Sequence, residues 1–251
     1  MFKALMARAR QGHRTIPYPA EQPYLPPGFR GRPVFEQGKC ADGCSACSDA
    51  CPSEAIRLSP EGPRLDLGRC IFCGDCATAC PEEIIRFTTD WRLAASERAE
   101  LLIAGKGPPH VEALGRELRR LLGRSLRLRQ ISAGGCNGCE AEVNALGNVV
   151  FDASRFGIDF VASPRHADGV LITGPITENM REATLRTYEA VAEPKLVIAA
   201  GACAISGGIF RGHGEVCDGI EGVLQVDLYV PGCPPHPVTI LDGLLRLLGR
   251  L

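Results

Sequence analysis

The sequence predicts two joined folds: an α+β unit near the amino terminus and, after it, an α/β unit with a parallel sheet. Three observations predict them. A cysteine-rich segment is duplicated between residues 36 and 90. From residue 125 onward, short apolar runs alternate with helical patterns, which is typical of a parallel sheet covered by helices. Three of those apolar runs lead into glycine- or proline-rich loops that contain cysteine.

Composition narrows the classes of function. The chain has 251 residues, of which 45% are hydrophobic, so a sizeable core is possible, and its net charge of −1 argues against a nucleic-acid-binding protein. No run of 18 apolar residues is present, and the amino terminus has neither a long apolar segment nor a cleavage site, so we expect a cytoplasmic protein. In that reducing compartment, the 13 cysteines are expected to bind metal rather than to form disulfides.

Residues 1–35 are predicted to form an extended amino-terminal arm. Its start has apolar residues at helical spacing (Phe2, Leu5, Met6 and Ala9) with basic residues between them (Lys3, Arg8, Arg10 and Arg14). Such a helix suits a membrane surface or a partner protein, and an ordinary surface helix is the alternative. Residues 15–35 contain six prolines, which favour an extended segment along the protein or a partner over helix, with a flexible linker as the alternative.

The duplicated segment, residues 36–90, has the spacing of iron–sulfur ligands. Cys44, Cys47, Cys51 and Pro52 recur 29 positions later as Cys73, Cys76, Cys80 and Pro81. The copy that begins at Cys70 has the C-x2-C-x2-C-x3-C-P spacing of two-cluster ferredoxins. The copy that begins at Cys40 has one extra residue in its first gap, which Gly43 would absorb as a bulge. Two separate zinc sites are the alternative, but this duplicated spacing is not a zinc pattern.

In such ferredoxins the fourth cysteine of each run binds the cluster of the other run. We therefore expect one [4Fe–4S] cluster on Cys40, Cys44, Cys47 and Cys80, and a second on Cys51, Cys70, Cys73 and Cys76. This two-cluster ferredoxin domain resembles the polyferredoxin subunits of complex I and of membrane-bound hydrogenases. The resemblance covers residues 1–90 and includes Gly28-Phe29-Arg30-Gly31 and the segment 67–74.

Residues 91–124 are predicted to form a helical linker. Apolar residues form a stripe opposite charged ones, at Val111, Leu114, Leu118, Leu121 and Leu122. The sequence Gly105-Lys106-Gly107-Pro108-Pro109 interrupts the segment and is the predicted domain boundary.

Residues 125–251 are predicted to form a flavodoxin-like domain. The strand candidates are Leu126–Ile131, Ile158–Ala162, Gly169–Thr173, Leu196–Ala200 and Val226–Val230; the helix candidates are residues 139–148, residues 178–192 and Pro237–Leu248. Ligands bind at the carboxyl ends of strands in open α/β sheets. Three strands would there bring together Cys136, Cys139, Cys203 and Cys233, the ligand set of a third [4Fe–4S] cluster. A thioredoxin-like pair, Cys136 and Cys139, is the alternative, and Cys217 is left over.

The motifs of this second domain resemble one family. They are Cys136-Asn137-Gly138-Cys139-Glu140, Ser163-Pro164-Arg165-His166-Ala167-Asp168, Gly201-Ala202-Cys203-Ala204 and Pro231-Gly232-Cys233-Pro234-Pro235. The family is the small subunit shared by group 4 [NiFe] hydrogenases and complex I, where it is the 20 kDa subunit. The resemblance covers about residues 125–250. It implies that the four cysteines bind the cluster nearest to a catalytic large subunit. Two residues separate Cys136 from Cys139, as in hydrogenases, whereas the complex I branch has adjacent cysteines.

Together the resemblances imply an electron-transfer subunit of a formate hydrogenlyase-like hydrogenase, peripheral on the inner face of the membrane, with three [4Fe–4S] clusters. Its partners would be a catalytic large subunit, membrane subunits and an upstream donor such as a formate dehydrogenase or ferredoxin. A quinone-reducing subunit of the complex I type and a free ferredoxin-like carrier are the alternatives. The residues expected around the third cluster are Glu140, Arg165 and His166. Each has an ordinary structural alternative: Glu140 would be a glutamate at a helix start, Arg165 would form an ion pair with Asp168, and His166 would be a loop histidine with no role at the cluster.

Overall fold

The computed structural model describes residues 2–12, 14–36, 40–41, 43–60, 62–103 and 109–251. The chain begins with helix α1 (Phe2–Gln11), every residue of which is exposed. After α1 the chain has no regular secondary structure, among the described residues, until β1 (Pro33–Phe35). This part of the arm is attached to the carboxyl-terminal half, because the buried Tyr18 hydroxyl donates to Asp242 Oδ1 over 2.6 Å.

The ferredoxin unit consists of short elements, each of five residues or fewer in the described chain. Strand β1 pairs antiparallel with β4, and β2, β3 and β5 form a second antiparallel sheet. The buried Cys47 and Cys76 lie on the two short helices. The elements are α2 (Ala46–Asp49), β2 (Ile56–Ser59), β3 (Gly62–Asp66), α3 (Asp75–Ala79), β4 (Ile85–Phe87) and β5 (Leu102–Ile103).

The prediction of a helical linker over residues 91–124 is wrong for most of its described length. Within it, Arg116–Leu122 forms an α-helix, α4, and Arg98–Leu101 forms a 3-10 turn. Other parts pair with distant strands and helices: Leu102 and Ile103 extend the ferredoxin sheet, and Ala95 pairs with Tyr229. Leu114, in the predicted stripe, donates its backbone N–H to Leu247 instead of continuing a helix. The predicted boundary lies outside the described residues except for Pro109.

The second unit is a five-stranded parallel sheet in the order β10-β9-β8-β6-β7. Counted within this unit the order is 2-1-3-4-5, read from its β7 edge, which is the flavodoxin-like order. The elements are β6 (Leu126–Ser132), α5 (Gly138–Ala145), β7 (Ile158–Phe160), β8 (Gly169–Thr173), α6 (Glu178–Glu189), β9 (Leu196–Ala200), α7 (Ala202–Ser206), β10 (Leu228–Val230) and α8 (Pro237–Leu247). The predicted α/β fold is confirmed.

The two faces of this sheet pack against different parts of the chain. Leu171 of β8 faces a core that includes the apolar side of α8, whereas Val170 and Ile172 face a core shared with the ferredoxin unit. The alternation follows from the period of two in a strand. Ferredoxin residues such as Leu67 therefore pack in the same cluster as Ile205 of α7. Within the part of the chain that the structure describes, no helix is both long and apolar enough to cross a bilayer.

Candidate metal centres

The third candidate site lies at the carboxyl ends of β6, β9 and β10. Cys136 lies in the loop after β6, and Cys139 lies in the first turn of α5. Cys203 lies in α7, directly after β9, and Cys233 lies in the segment after β10. Backbone hydrogen bonds hold the last two segments side by side, since Gly201 N–H donates to the Val230 carbonyl and Ala202 N–H to the Gly232 carbonyl, each over 2.9 Å. The parallel sheet thus brings together four cysteines that are far apart in sequence.

Glycine is required at one position of this site by both space and conformation. Gly201 has φ +96°, in the left-handed region that side chains rarely adopt. A Cβ there would lie 2.5 Å from Cys139 Sγ. The backbone after β9 can therefore approach the Cys139 sulfur only without a side chain.

The thiols of this site influence one another. Burial raises the pKa of Cys139 to about 12, and the charges of Cys203, Glu140, Cys233 and Cys136 add to that rise. Burial also raises the pKa of Cys203 to about 11, with contributions from Cys233 and Cys136. Since cluster ligands are thiolates, this donor set needs a positively charged group among its sulfurs to ionise at neutral pH, which fits a bound iron–sulfur cluster. Cys136 and Cys233 are exposed, so one side of the site faces the surface.

Glu140 is buried beside the cysteines. Its Oε1 accepts hydrogen bonds from Ser132 Oγ over 2.6 Å and from Thr173 Oγ1 over 2.7 Å. Burial alone would raise the pKa of this carboxyl, but the two hydroxyl donors lower it below its usual value. Ser132 and Thr173 end β6 and β8, and sequence reasoning missed them, although a polar residue closing an apolar strand was the available signal.

The remaining candidate residues, Arg165, His166 and Cys217, lie outside the third set of cysteines. Arg165 and His166 are exposed on the 3-10 turn Pro164–His166, between β7 and β8, rather than in the loops that contain the four cysteines. Asp168 accepts from the backbone N–H of Arg127 over 2.7 Å. Cys217 donates to Glu178 Oε1 at the start of α6, and burial raises its pKa, followed by the effect of that carboxylate.

The cysteines of the first ferredoxin set influence one another's pKa. The pKa of Cys47 is raised by burial and by the charges of Cys40 and Cys80, and the pKa of Cys40 is raised by burial and by Cys44 and Cys80. Gly43, in the longer gap, has φ +74°, a conformation that suits glycine. The extra residue of this copy is thus accommodated next to a left-handed turn.

The second ferredoxin set lines a cavity. Cys51, Cys70, Cys73 and Cys76 surround it together with apolar side chains of Ile56, Leu65 and Phe87. Two backbone amides point at sulfurs: Phe72 N–H donates to Cys70 Sγ over 3.3 Å, and Ala55 N–H to Cys51 Sγ over 3.2 Å. Hydrogen bonds to ligand sulfurs are a known means of tuning cluster potentials. An apolar cavity with four thiols and inward amides fits a [4Fe–4S] cluster.

Charges of one set of cysteines affect the pKa of cysteines in another set. Cys47 of the first set contributes to the raised pKa of Cys76 in the second, after burial and the cysteines of its own set. Cys73 of the second set contributes to the raised pKa of Cys233 in the third, after burial and Cys136. Between the second and third sets lies a cleft lined by Phe72 and Cys233 and flanked by Arg30, which donates to the Phe72 carbonyl over 3.2 Å.

Among the described residues, no three Cys, His, Asp or Glu side chains lie close enough to hold a single metal ion. A four-iron cluster needs a wider arrangement, because its four thiolates bind different irons.

Two family models match the chain. The model described as "NADH ubiquinone oxidoreductase, 20 Kd subunit" matches residues 136–247, and one described as "4Fe-4S dicluster domain" matches residues 39–84. The matches contain the third set of cysteines and the two ferredoxin sets, respectively. Together they span both units of the structure.

Several curated proteins are similar to this chain. Formate hydrogenlyase subunit 7 of Escherichia coli is 43% identical over 56% of this chain and 55% of its own length. A probable membrane-bound hydrogenase subunit of Pyrococcus furiosus is 41% identical over 54% of this chain and 81% of its own length. An NADH-quinone oxidoreductase subunit of Citrifermentans bemidjiense is 47% identical over 45% of this chain and 66% of its own length. The chain thus spans about half the length of the first of these relatives.

Among solved structures, a chain of an archaeal membrane-bound sulfane sulfur reductase aligns with a TM-score of 0.47 and 33% identity. The alignment covers 53% of this chain and 73% of that one.

Proposed function

This chain belongs to the family of the 20 kDa subunit of NADH ubiquinone oxidoreductase and joins it to a 4Fe–4S dicluster domain, and from that premise we propose that it is the electron-transfer subunit of a membrane-associated [NiFe] hydrogenase of the formate hydrogenlyase type. In this role it would be a non-catalytic subunit of the oxidoreductase complex. It would relay electrons between an upstream donor, such as a formate dehydrogenase or a ferredoxin, and a catalytic large subunit.

The proposal includes three [4Fe–4S] clusters, which supply one-electron oxidation and reduction when bound. The first would be bound by Cys40, Cys44, Cys47 and Cys80, the second by Cys51, Cys70, Cys73 and Cys76, and the third by Cys136, Cys139, Cys203 and Cys233. The protein contributes thiolate ligands, backbone amides directed at sulfur and apolar side chains that exclude water. Glu140, which accepts two hydrogen bonds within the fold, would add a fixed negative charge beside the third set.

The observation that carries the relay is the contribution of Cys73 to the raised pKa of Cys233, which couples the ferredoxin unit to the third set. Because Cys47 acts in the same way on Cys76, the order would be first set, second set, third set. The exposed Cys136 and Cys233 leave the third set at the surface, where a large subunit would cover it. Membrane subunits of the complex would then hold the assembly on the inner face of the membrane.

Two observations favour a hydrogenase over the complex I alternative. Cys136 and Cys139 are separated by two residues, the spacing that distinguishes the hydrogenase branch. The E. coli and Pyrococcus relatives are also subunits of a formate hydrogenlyase and of a probable hydrogenase by name. A subunit that delivers electrons to quinone is the second candidate, which the similarity to the NADH-quinone oxidoreductase subunit of Citrifermentans favours.

The test is metal analysis of the native complex. The chain would be tagged at its carboxyl terminus in its own host and purified anaerobically in mild detergent. Nickel together with about twelve iron atoms per chain would support the hydrogenase proposal, since three four-iron clusters require that number. Iron without nickel in a membrane-derived complex would favour the quinone-reducing candidate. Iron with no partner protein would contradict both and favour a free carrier.

A further inference from the structure

Helix α1 has an apolar face that nothing in the described chain covers. Phe2, Leu5 and Met6 are 75%, 62% and 41% exposed, and they lie on one side of the helix because they are three and four positions apart. No residue of α1 is buried. A ten-residue helix is marginal in water by itself, so it gains from a surface that takes up this face.

The charge around this face has a single sign. Lys3, Arg8, Arg10 and Arg14 are basic, and the first acidic residue in the sequence is Glu21. The whole chain has a net charge of only −1, so this segment differs from the rest in its concentration of positive charge. A basic helix with one apolar face is the pattern of segments that lie in the headgroup region of anionic bilayers.

The residues after α1 are fixed to the folded protein next to a second exposed apolar pair. Thr15 Oγ1 donates to the Val149 carbonyl and Ile16 N–H to the Val150 carbonyl, each over 2.9 Å. Val149 is 70% exposed and Val150 37%. The Arg155 guanidinium holds the arm further by donating to the carbonyls of Ile16 and Tyr18, each over 2.8 Å. The helix is therefore presented from a fixed base that is itself apolar at the surface.

We propose that α1, together with Val149 and Val150, is a docking surface for an anionic lipid bilayer. The occupant is a lipid surface rather than a protein groove, because a segment with several basic residues and no acidic one matches a layer of phosphate headgroups, and a few apolar side chains suffice to enter it. This inference rests on the proposed function and deepens it, since it names a part of this subunit that contacts the membrane directly. Val149 and Val150 follow the carboxyl-terminal end of α5, whereas Cys139 lies in its first turn.

The test uses the full chain, with its clusters reconstituted anaerobically and its tag at the carboxyl terminus so that α1 stays unmodified. Co-sedimentation is measured with phosphatidylcholine vesicles that contain or lack phosphatidylglycerol. We expect binding to the anionic vesicles that weakens as salt is raised, and at least about tenfold weaker binding to the neutral ones, because each basic side chain near the surface adds to the attraction.

Two sets of variants separate the contribution of the apolar side chains to vesicle binding from that of the basic side chains. Phe2→Ser with Leu5→Ser is expected to weaken binding to anionic vesicles by about tenfold or more, because two apolar side chains no longer enter the bilayer. Lys3→Gln with Arg10→Gln should remove most of the preference for anionic vesicles. The matched control is Leu58→Ser with Leu121→Ser, two leucines elsewhere that are 46% and 61% exposed, which should leave binding unchanged.

Equal binding to both kinds of vesicle, no binding, or equal loss in the control would overturn the proposal. If the α1 variant lost its partner subunits during purification while the wild-type chain ignored vesicles, α1 would be a protein-docking helix instead. The iron and nickel contents of the native complex are measured alongside vesicle binding. If the chain does not bind vesicles but the complex keeps its iron and nickel, only the proposed docking of α1 on a bilayer is rejected. If no nickel–iron partner is present, the proposed function is rejected.

Discussion

At the scale of single residues, the third site depends on the absence of a side chain at Gly201. The cysteine pattern could be read from the sequence, but the 2.5 Å approach of Cys139 Sγ to the place of a Cβ could not, because it depends on how β9 sits beside β6 across β8. The sequence likewise predicted Glu140 near the site without its partners, the hydroxyls of Ser132 and Thr173, since these come from two different strands.

Replacing Gly201 with alanine is expected to remove the third cluster alone. The new methyl group would overlap Cys139 Sγ, and φ +96° would strain any side chain. Iron analysis should show about four fewer iron atoms per chain, out of about twelve. Gly222→Ala is the control, since no heavy atom lies within 4 Å of its Cβ position. Full iron content in Gly201→Ala would show that the third set does not bind a cluster in this arrangement.

Tyr18 fixes the arm through one buried hydrogen bond. Removing its hydroxyl in Tyr18→Phe leaves Asp242 with Arg246 as its remaining partner, at 2.8 Å. We expect the free energy of unfolding to fall by about 1–3 kcal/mol, measured by anaerobic chemical denaturation. Tyr24→Phe, at a residue that is 84% exposed, should change it by less than about 0.5 kcal/mol. Equal effects of the two substitutions would mean that the Tyr18–Asp242 bond does not stabilise the fold.

At the scale of elements, the sequence predicted the strands better than the linker. Strands β8 and β9 have the predicted bounds, because each is a continuous apolar run buried on both faces. The last strand, Leu228–Val230, is shorter than the predicted Val226–Val230. At Asp227 the side-chain carboxylate, rather than a backbone carbonyl, accepts the Val197 N–H over 2.8 Å. The helical linker was predicted correctly only at α4, which contains Leu118, Leu121 and Leu122 of the stripe. Elsewhere the backbone groups of Ala95 and Leu114 pair with Tyr229 and Leu247, contacts that no local pattern contains.

Asp66 connects the end of β3 to the 3-10 turn Arg98–Leu101. Its carboxylate accepts two hydrogen bonds from Arg98, at 2.8 and 2.5 Å, and one from the Gly68 N–H in the turn before Cys70. Asp66→Ala should lower the free energy of unfolding by about 1.5–3 kcal/mol, because the bonds are charge-assisted and mostly shielded from water. It should also speed iron loss to a chelator from the second set.

The exposed pair Arg186–Glu182 provides the matched control for Asp66. Glu182→Ala removes a 2.5 Å ion pair of which both side chains are more than 70% exposed, so its effect should be about 0.5 kcal/mol or less. Chelator resistance that is unchanged in Asp66→Ala would show that this carboxylate supports the fold without holding the Cys70 turn.

At the scale of the whole molecule, the two units are joined by a shared core and by direct contacts. A Cβ at Gly68 would lie 2.7 Å from Ile205 Cγ2, and Ser206 Oγ donates to the Gly68 carbonyl over 2.9 Å. The sequence predicted both units but not this packing, because neither helical nor strand periodicity encodes which faces meet. The contact keeps the second set of cysteines at a constant position against the third.

This arrangement predicts the magnetic behaviour of the reduced protein. Cys44→Ser should remove the first cluster, yet the spin–spin interaction between the second and third clusters should remain in the electron paramagnetic resonance spectrum, since the proposed order places the second set, with Cys73, next to the third set, with Cys233. Loss of that interaction in Cys44→Ser, with the iron of the other two sets retained, would contradict the order first, second, third.

The positions of the third set of cysteines in the sequence also determine when during synthesis they could bind a cluster. As the chain emerges from the ribosome, all eight ferredoxin cysteines are present once Cys80 has been made, so that unit can take up its clusters early. The third set needs Cys233, which is synthesised 153 residues after Cys80. Under the proposed assignment, its cluster would therefore be inserted later than the other two can be, and before the proposed large subunit closes over the exposed Cys136 and Cys233.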